Sequence, residues 1–201
     1  RLISKLTSYG IQNVQRNLSI ALGSMGMSPY ELAEYYTIIS NYGTKVKPNL
    51  IKSVKPPIGP TIVYHSKKDN IEDPSTVYRL ISIMQDVVRR GTGTTASVNG
   101  LEVAGKTGTT NDSRDAWFCG FSPTIQTIIW FGNDDNSPLS GRYTGGVACG
   151  PVFSAYYNKI LAHRPNIKRN FTIPFSNTQT AIEGNATENN SSNNENNSST
   201  P

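Results

Sequence analysis

Near residue 91 the spacing of apolar residues changes from helical to alternating, and few fold classes can accommodate that switch. Before it, Val77, Leu80, Ile81, Met84, Val87 and Val88 form one continuous stripe at helical spacing, opened by Asp73-Pro74 and ended by Gly91 and Gly93. After it the period is two: Thr94–Val98, Leu101–Thr109, Ala116–Phe121 and Thr127–Phe131 read as strands. Asn99-Gly100 between the first two is a two-residue hairpin signal. Helical spacing returns at Val147–Leu161, with Phe153, Tyr156, Tyr157 and Ile160 on the face expected to be buried. Helices, then antiparallel strands, then a helix that can cover them define an α+β chain with an antiparallel sheet flanked by helices.

The first seventy residues are punctuated in the same way. Leu2–Tyr9 reads as the end of a helix stopped by Gly10. Ser28 is suited to cap a second helix, with Pro29 in its first turn and Glu31 closing a capping box. Leu32, Tyr35, Tyr36 and Ile39 continue that helix to Asn41-Tyr42-Gly43. Val46–Lys55 and Thr61–His65 read as two short strands around Pro56-Pro57-Ile58-Gly59-Pro60.

Composition sets the limits. Only 36% of the 201 residues are hydrophobic, but the deficit is concentrated from about Thr178 to Pro201, almost wholly Asn, Ser, Thr and Glu. Such a segment cannot bury enough apolar surface to offset its ordering entropy. The expected organisation is a folded part, residues 1–164, and a disordered Asn/Ser-rich tail, residues 165–201. The Asn-x-Ser/Thr sequons of that tail, Asn185-Ala186-Thr187, Asn190-Ser191-Ser192 and Asn197-Ser198-Ser199 among them, follow from its composition. A net charge of +5 is spread thinly, without the dense Lys/Arg face that nucleic acid requires. No apolar run reaches the 18 or so residues of a membrane span. The chain opens on Arg1 without a signal peptide, as a soluble protein or as a piece of a longer one. Cys119 and Cys149, outside any CxxC or zinc spacing, are expected to be two buried free thiols rather than a bridge.

The chemistry is concentrated in Gly105-Lys106-Thr107-Gly108-Thr109-Thr110. The stretch follows a hairpin turn, continues an apolar strand and leads into Asn111-Asp112-Ser113-Arg114-Asp115-Ala116-Trp117-Phe118. Lys106 offers a fixed positive charge, and Thr107 and Thr109 offer hydroxyls, a set suited to a terminal carboxylate. Gly108 lets a ligand backbone approach the strand, and an extended peptide could add to the sheet edge through main-chain hydrogen bonds. A solvated surface strand rich in threonine would carry the same residues.

Lys-Thr-Gly is one of three signatures of penicillin-binding proteins and class A β-lactamases. Gly105–Phe118 resembles the block typical of bifunctional class A penicillin-binding proteins. So do Leu18–Ser24 with Ser28–Ala33, and Phe131–Asn136 followed by Thr144-Gly145-Gly146, in the same order, so that the resemblance covers residues 2 to about 161. It implies the penicillin-binding/serine β-lactamase-like fold, incomplete at the N-terminus, and a D,D-transpeptidase of peptidoglycan synthesis. In that chemistry an activated serine attacks a D-Ala-D-Ala stem peptide, D-Ala leaves, and a neighbouring amine resolves the acyl-enzyme. Carried over by position, Lys106 sets the electrostatics of catalysis. Thr107, Gly108 and Thr109 bind the stem peptide or a β-lactam, and the Thr109 N–H is one of two oxyanion donors. No cofactor or metal is implied. The family's place is the outer face of the bacterial cytoplasmic membrane, anchored by an N-terminal segment outside this chain.

The departures are equally specific. No Ser-x-x-Lys occurs, so the chain holds no candidate nucleophile. Ser97-Val98-Asn99 has the spacing of the family's Ser-x-Asn motif but sits at the hairpin just before Lys106, whereas the family places it far upstream. A non-catalytic stem-peptide-binding module, or a D,D-carboxypeptidase or serine β-lactamase relative, are the alternative readings. His65 and His163 fit no metal or triad spacing, and Asp112, Asp115, Asp134 and Asp135 lack the calcium-loop pattern. Asp115 is expected to pair with Arg114 or cap a turn, Asp134-Asp135 to lie in a loop, and Trp117 and Trp130 to fill the core.

Overall fold

The computed structural model describes residues 1–174. A three-stranded antiparallel sheet, ordered β5-β6-β7, lies at its centre: β5 is Ala104–Thr109, β6 Asp115–Phe121 and β7 Gln126–Gly132. Lys106 stands opposite Cys119, Gly108 opposite Trp117, and Trp117 opposite Trp130. Around it are helices α1 (Leu2–Ser8), α2 (Pro29–Ser40), α3 (Pro74–Arg90) and α4 (Gly150–His163). The expected α+β class is therefore observed, and each sheet strand begins or ends within three residues of its sequence-read limit.

The two faces of the sheet have different cores. On one, Phe118 meets Phe153 of α4 edge to face at 4.9 Å, and Phe153 stacks on Tyr157 at 4.1 Å. Val88, Ala96, Val98, Leu101, Val103, Ala116, Leu139 and Cys149 complete that cluster. On the other, Ala104 and Phe121 pack with Val77, Ile81 and Met84 of α3, and with Tyr36 and Ile39 of α2. Gln126 ties α2 down by donating to the Ala33 carbonyl and accepting from the Ser40 hydroxyl. Within the sequence-read stripes, Leu80 and Tyr156 are exposed instead, because each helix covers the sheet with a narrower face than its apolar residues would allow. On α2 the fully buried position is Ile38.

The capping signals hold in detail. Ser28 Oγ accepts from the Glu31 N–H, and the Glu31 carboxylate accepts from the Ser28 N–H. Asp73 accepts from the Thr76 N–H at the start of α3. Asn99-Gly100 turns the chain between Val98 and Leu101, which pair in a single bridge. Thr94–Val98 is not a strand: Thr94–Ala96 forms a 3₁₀ turn, drawn in by a Thr95 hydroxyl donating to the Gly146 carbonyl. The two strands expected around Pro56–Pro60 are present but shorter, and a second short pair flanks them. β1 (Thr44–Val46) pairs with β4 (Lys68–Asn70), and β2 (Ser53–Val54) with β3 (Ile62–Val63) in a separate hairpin.

Cys119 and Cys149 are buried free thiols, as expected. The folded part runs further than residue 164. Phe171 is buried against Phe121 at 5.7 Å, its N–H donates to Glu102, and Arg169 donates to the Gly100 carbonyl. The expected disorder of the Asn/Ser-rich stretch lies outside the described residues.

Candidate functional site

β5 is an edge strand, and the phase of its hydrogen bonds decides which groups face outward. The Thr110 N–H donates to the Asp115 carbonyl at 3.0 Å. In an antiparallel ladder that bond makes Thr109 and Ala116 a pair without mutual hydrogen bonds. With the observed register, Thr107 and Thr109 therefore direct both N–H and C=O away from β6, to the open edge. The Lys106 side chain agrees: it curls round that edge, and its Nζ donates to the Thr107 carbonyl at 2.7 Å.

The side chains alternate across the strand. Thr107 and Thr109 lie on the face that carries α4 and the π-turn before it, Gly145–Cys149. Each hydroxyl is held from behind. Thr109 Oγ1 accepts from the Gly145 N–H at 3.2 Å, and Thr107 Oγ1 lies 2.6 Å from Thr92 Oγ1. Lys106 and Gly108 lie on the other face, at the end of the sheet that α2 and α3 leave uncovered. A Cβ at Gly108 would touch Trp117 Cβ at 3.3 Å, so this glycine is set by a neighbouring tryptophan as well as by any ligand.

That uncovered end explains one difference from the sequence reading, and of the two roles expected of Asp115 the turn is the one observed. Trp117 is half-buried and Trp130 exposed; the rings lean together at 6.3 Å instead of filling the core. Asp115 does not pair with Arg114, whose guanidinium approaches Asp112 at 4.0 Å. Asp115 instead accepts from Trp130 Nε1 at 2.8 Å and from the Thr110 hydroxyl, fixing the turn that leads out of β5. Asp135, in the loop expected of it, accepts from the Ser137 N–H. The Ser97 carbonyl is held by the Ser154 hydroxyl of α4.

Under Lys106, burial pushes the Cys119 thiol up to about 12 and Cys149 to about 11, so both stay neutral and neither is a nucleophile at neutral pH. Among the described residues no cluster of His, Cys, Asp or Glu could hold a metal ion, and no helix is long and apolar enough to cross a membrane. A groove of about 510 Å³ between Gly10–Gln15 and Ser24–Met27 is lined by no β5 residue. Sequence reading noted Thr144-Gly145-Gly146 only as part of the resemblance, without a place beside β5, and missed Thr92. Thr92 sits between two glycines that read only as a helix stop, and nothing local connects it to a residue fifteen positions away.

Residues 4–158 match the penicillin binding protein transpeptidase domain. The chain belongs to this family, as part of the transpeptidase domain of a class A member. It is 37% identical over 157 residues to penicillin-binding protein 1A of Neisseria lactamica, covering 74% of this chain and 20% of that protein. It is 34% identical over 166 residues to penicillin-binding protein 1A of Aquifex aeolicus, covering 82% and 23%. Thus the chain spans about a fifth to a quarter of those relatives' length. Among solved structures, penicillin-binding protein 1A of Haemophilus influenzae superimposes with a TM-score of 0.72 at 19% identity, over 84% of this chain and 31% of that one. The PonA1 protein of Mycobacterium tuberculosis, solved in complex with penicillin V, gives 0.71 at 22% identity, over 82% and 46%. These two share the fold.

Proposed function

We propose that this chain supplies the Lys-Thr-Gly strand of a serine-type peptidoglycan D,D-transpeptidase, and that β5 is the edge on which a D-Ala-D-Ala stem peptide or a β-lactam is held. The observation that carries the reading is the outward main chain of Thr107 and Thr109, with Lys106 at the same edge. An extended ligand can add to that edge as a further strand, taking over the Thr107 carbonyl from Lys106. The Lys106 ammonium and the Thr107 and Thr109 hydroxyls then meet its carboxylate. The Thr109 N–H, unused by the ladder, is free to stabilise the oxyanion that forms when a serine attacks.

On this reading the serine and its lysine are supplied by chain outside these 201 residues, which contain no Ser-x-x-Lys. The isolated chain accordingly forms no acyl adduct. The test uses the full-length protein and a fluorescent penicillin. Lys106→Ala is expected to lower the acylation rate by at least tenfold while the melting temperature stays within about 2 °C, since Lys106 is exposed. Unchanged acylation in Lys106→Ala would favour a non-catalytic peptide-binding role for this edge.

A further inference from the structure

Thr92 stands beside the proposed ligand edge without belonging to the Lys-Thr-Gly strand. It is exposed, yet its backbone is tightly fixed. The N–H groups of Gly91 and Gly93 both donate to the Val87 carbonyl, at 3.1 and 3.0 Å, so the chain turns sharply at the end of α3. A Cβ at Gly93 would meet Phe118 at 3.2 Å, and one at Gly146 would run into the Thr92 carbonyl. With glycine at both positions, the turn sits directly against β5. The Thr92 hydroxyl is thereby held 2.6 Å from Thr107 Oγ1.

In the free protein either hydroxyl can be the donor. A carboxylate removes that choice, because it can only accept. Once a ligand carboxylate reaches Thr107, the Thr107 proton must point to it, and the Thr107 oxygen is left to accept from Thr92. The two bonds then run in one direction and polarise each other. Thr109 shows the same arrangement with a backbone donor, since its oxygen already accepts from the Gly145 N–H. We propose that Thr92 is a positioning residue for carboxylate recognition, its hydroxyl donating to Thr107 so that Thr107 presents its own proton to the ligand. This rests on the reading of β5 as the ligand edge.

The prediction is specific to ligands with a free carboxylate. In the full-length protein, Thr92→Val keeps the branched shape and removes the donor. It is expected to slow acylation by benzylpenicillin about three- to tenfold, the range of one neutral hydrogen bond. Acylation by benzylpenicillin methyl ester, whose carboxylate is masked, should be unchanged by Thr92→Val. Thr92→Ser should restore the wild-type rate, and Thr92→Val added to Thr107→Val should cost nothing more. Equal slowing of acid and ester, or no slowing of either, would overturn the assignment. Thr107→Val separates the two levels. If it narrows the acid-to-ester ratio while Thr92→Val does not, only the role of Thr92 is lost. If Thr107→Val leaves the ratio unchanged, the reading of the edge falls with it.

Discussion

The Gly145 N–H donates to Thr109 Oγ1 across 36 residues of sequence, joining the π-turn at the head of α4 to the end of the Lys-Thr-Gly strand. The joint is tight enough to exclude a side chain: a Cβ at Gly145 would lie 2.5 Å from the Gly108 carbonyl and 3.1 Å from its nitrogen. Gly145→Ala must push the turn off the strand. Overpacking of this kind costs about 1–3 kcal/mol. The expected result is a lower melting temperature together with slower penicillin acylation, measured on the full-length protein. A variant that melts and acylates as wild type would show that the turn does not brace β5.

Asp115 holds the turn that leads out of β5. It accepts from Trp130 Nε1 and Thr110 Oγ1, and its own N–H donates to Thr110 Oγ1 at 2.8 Å. Asp115→Ala leaves the indole and the threonine hydroxyl without this partner. A loss of about 1–2 kcal/mol is expected in urea unfolding, with a red shift of tryptophan emission as Trp130 is released. Asp115→Asn keeps an acceptor for the indole and should lose less than Asp115→Ala.

The thiols give a prediction about pH. Burial raises Cys119 to about 12 and Cys149 to about 11, from an ordinary value near 9. The folded state binds these protons more tightly than the unfolded chain. The resulting stability is complete below about pH 9 and is lost as pH rises from there through 11 to 12. Alkylation by iodoacetamide, followed by peptide mapping at pH 8, should therefore track global unfolding at both cysteines. Fast labelling of Cys119 in the folded protein would contradict its burial.

Local chemistry and long-range packing divided what the sequence could reveal. The Ser28–Glu31 box, the Asp73 cap, the Asn99-Gly100 turn and the sheet strands are each fixed by a few neighbouring residues, and each is visible in the chain. Thr94–Val98 read as a strand because threonine and valine favour one. It became a turn through the bond from Thr95 to Gly146, a residue 51 positions away. Trp130 read as core because nothing in the sequence tells which end of the sheet α2 and α3 leave bare. The strand carrying Lys106, Thr107, Gly108 and Thr109 was legible. The backing from Thr92 and Gly145 was not, since those contacts exist only after folding.

Thr109 offers the most direct test of the central claim, that the outward edge of β5 receives the ligand. Its N–H serves no ladder bond, and proline is tolerated on an edge strand where the N–H faces outward. Thr109→Ala removes the hydroxyl and keeps that N–H; Thr109→Pro removes both. Acylation of the full-length protein by a fluorescent penicillin should be slowed in Thr109→Ala and should fall about a further hundredfold or more in Thr109→Pro, the loss typical of one oxyanion donor. The two variants should melt within a few degrees of each other. Equal acylation rates in the alanine and proline variants would contradict the account, because the outward N–H of β5 would then take no part in the reaction.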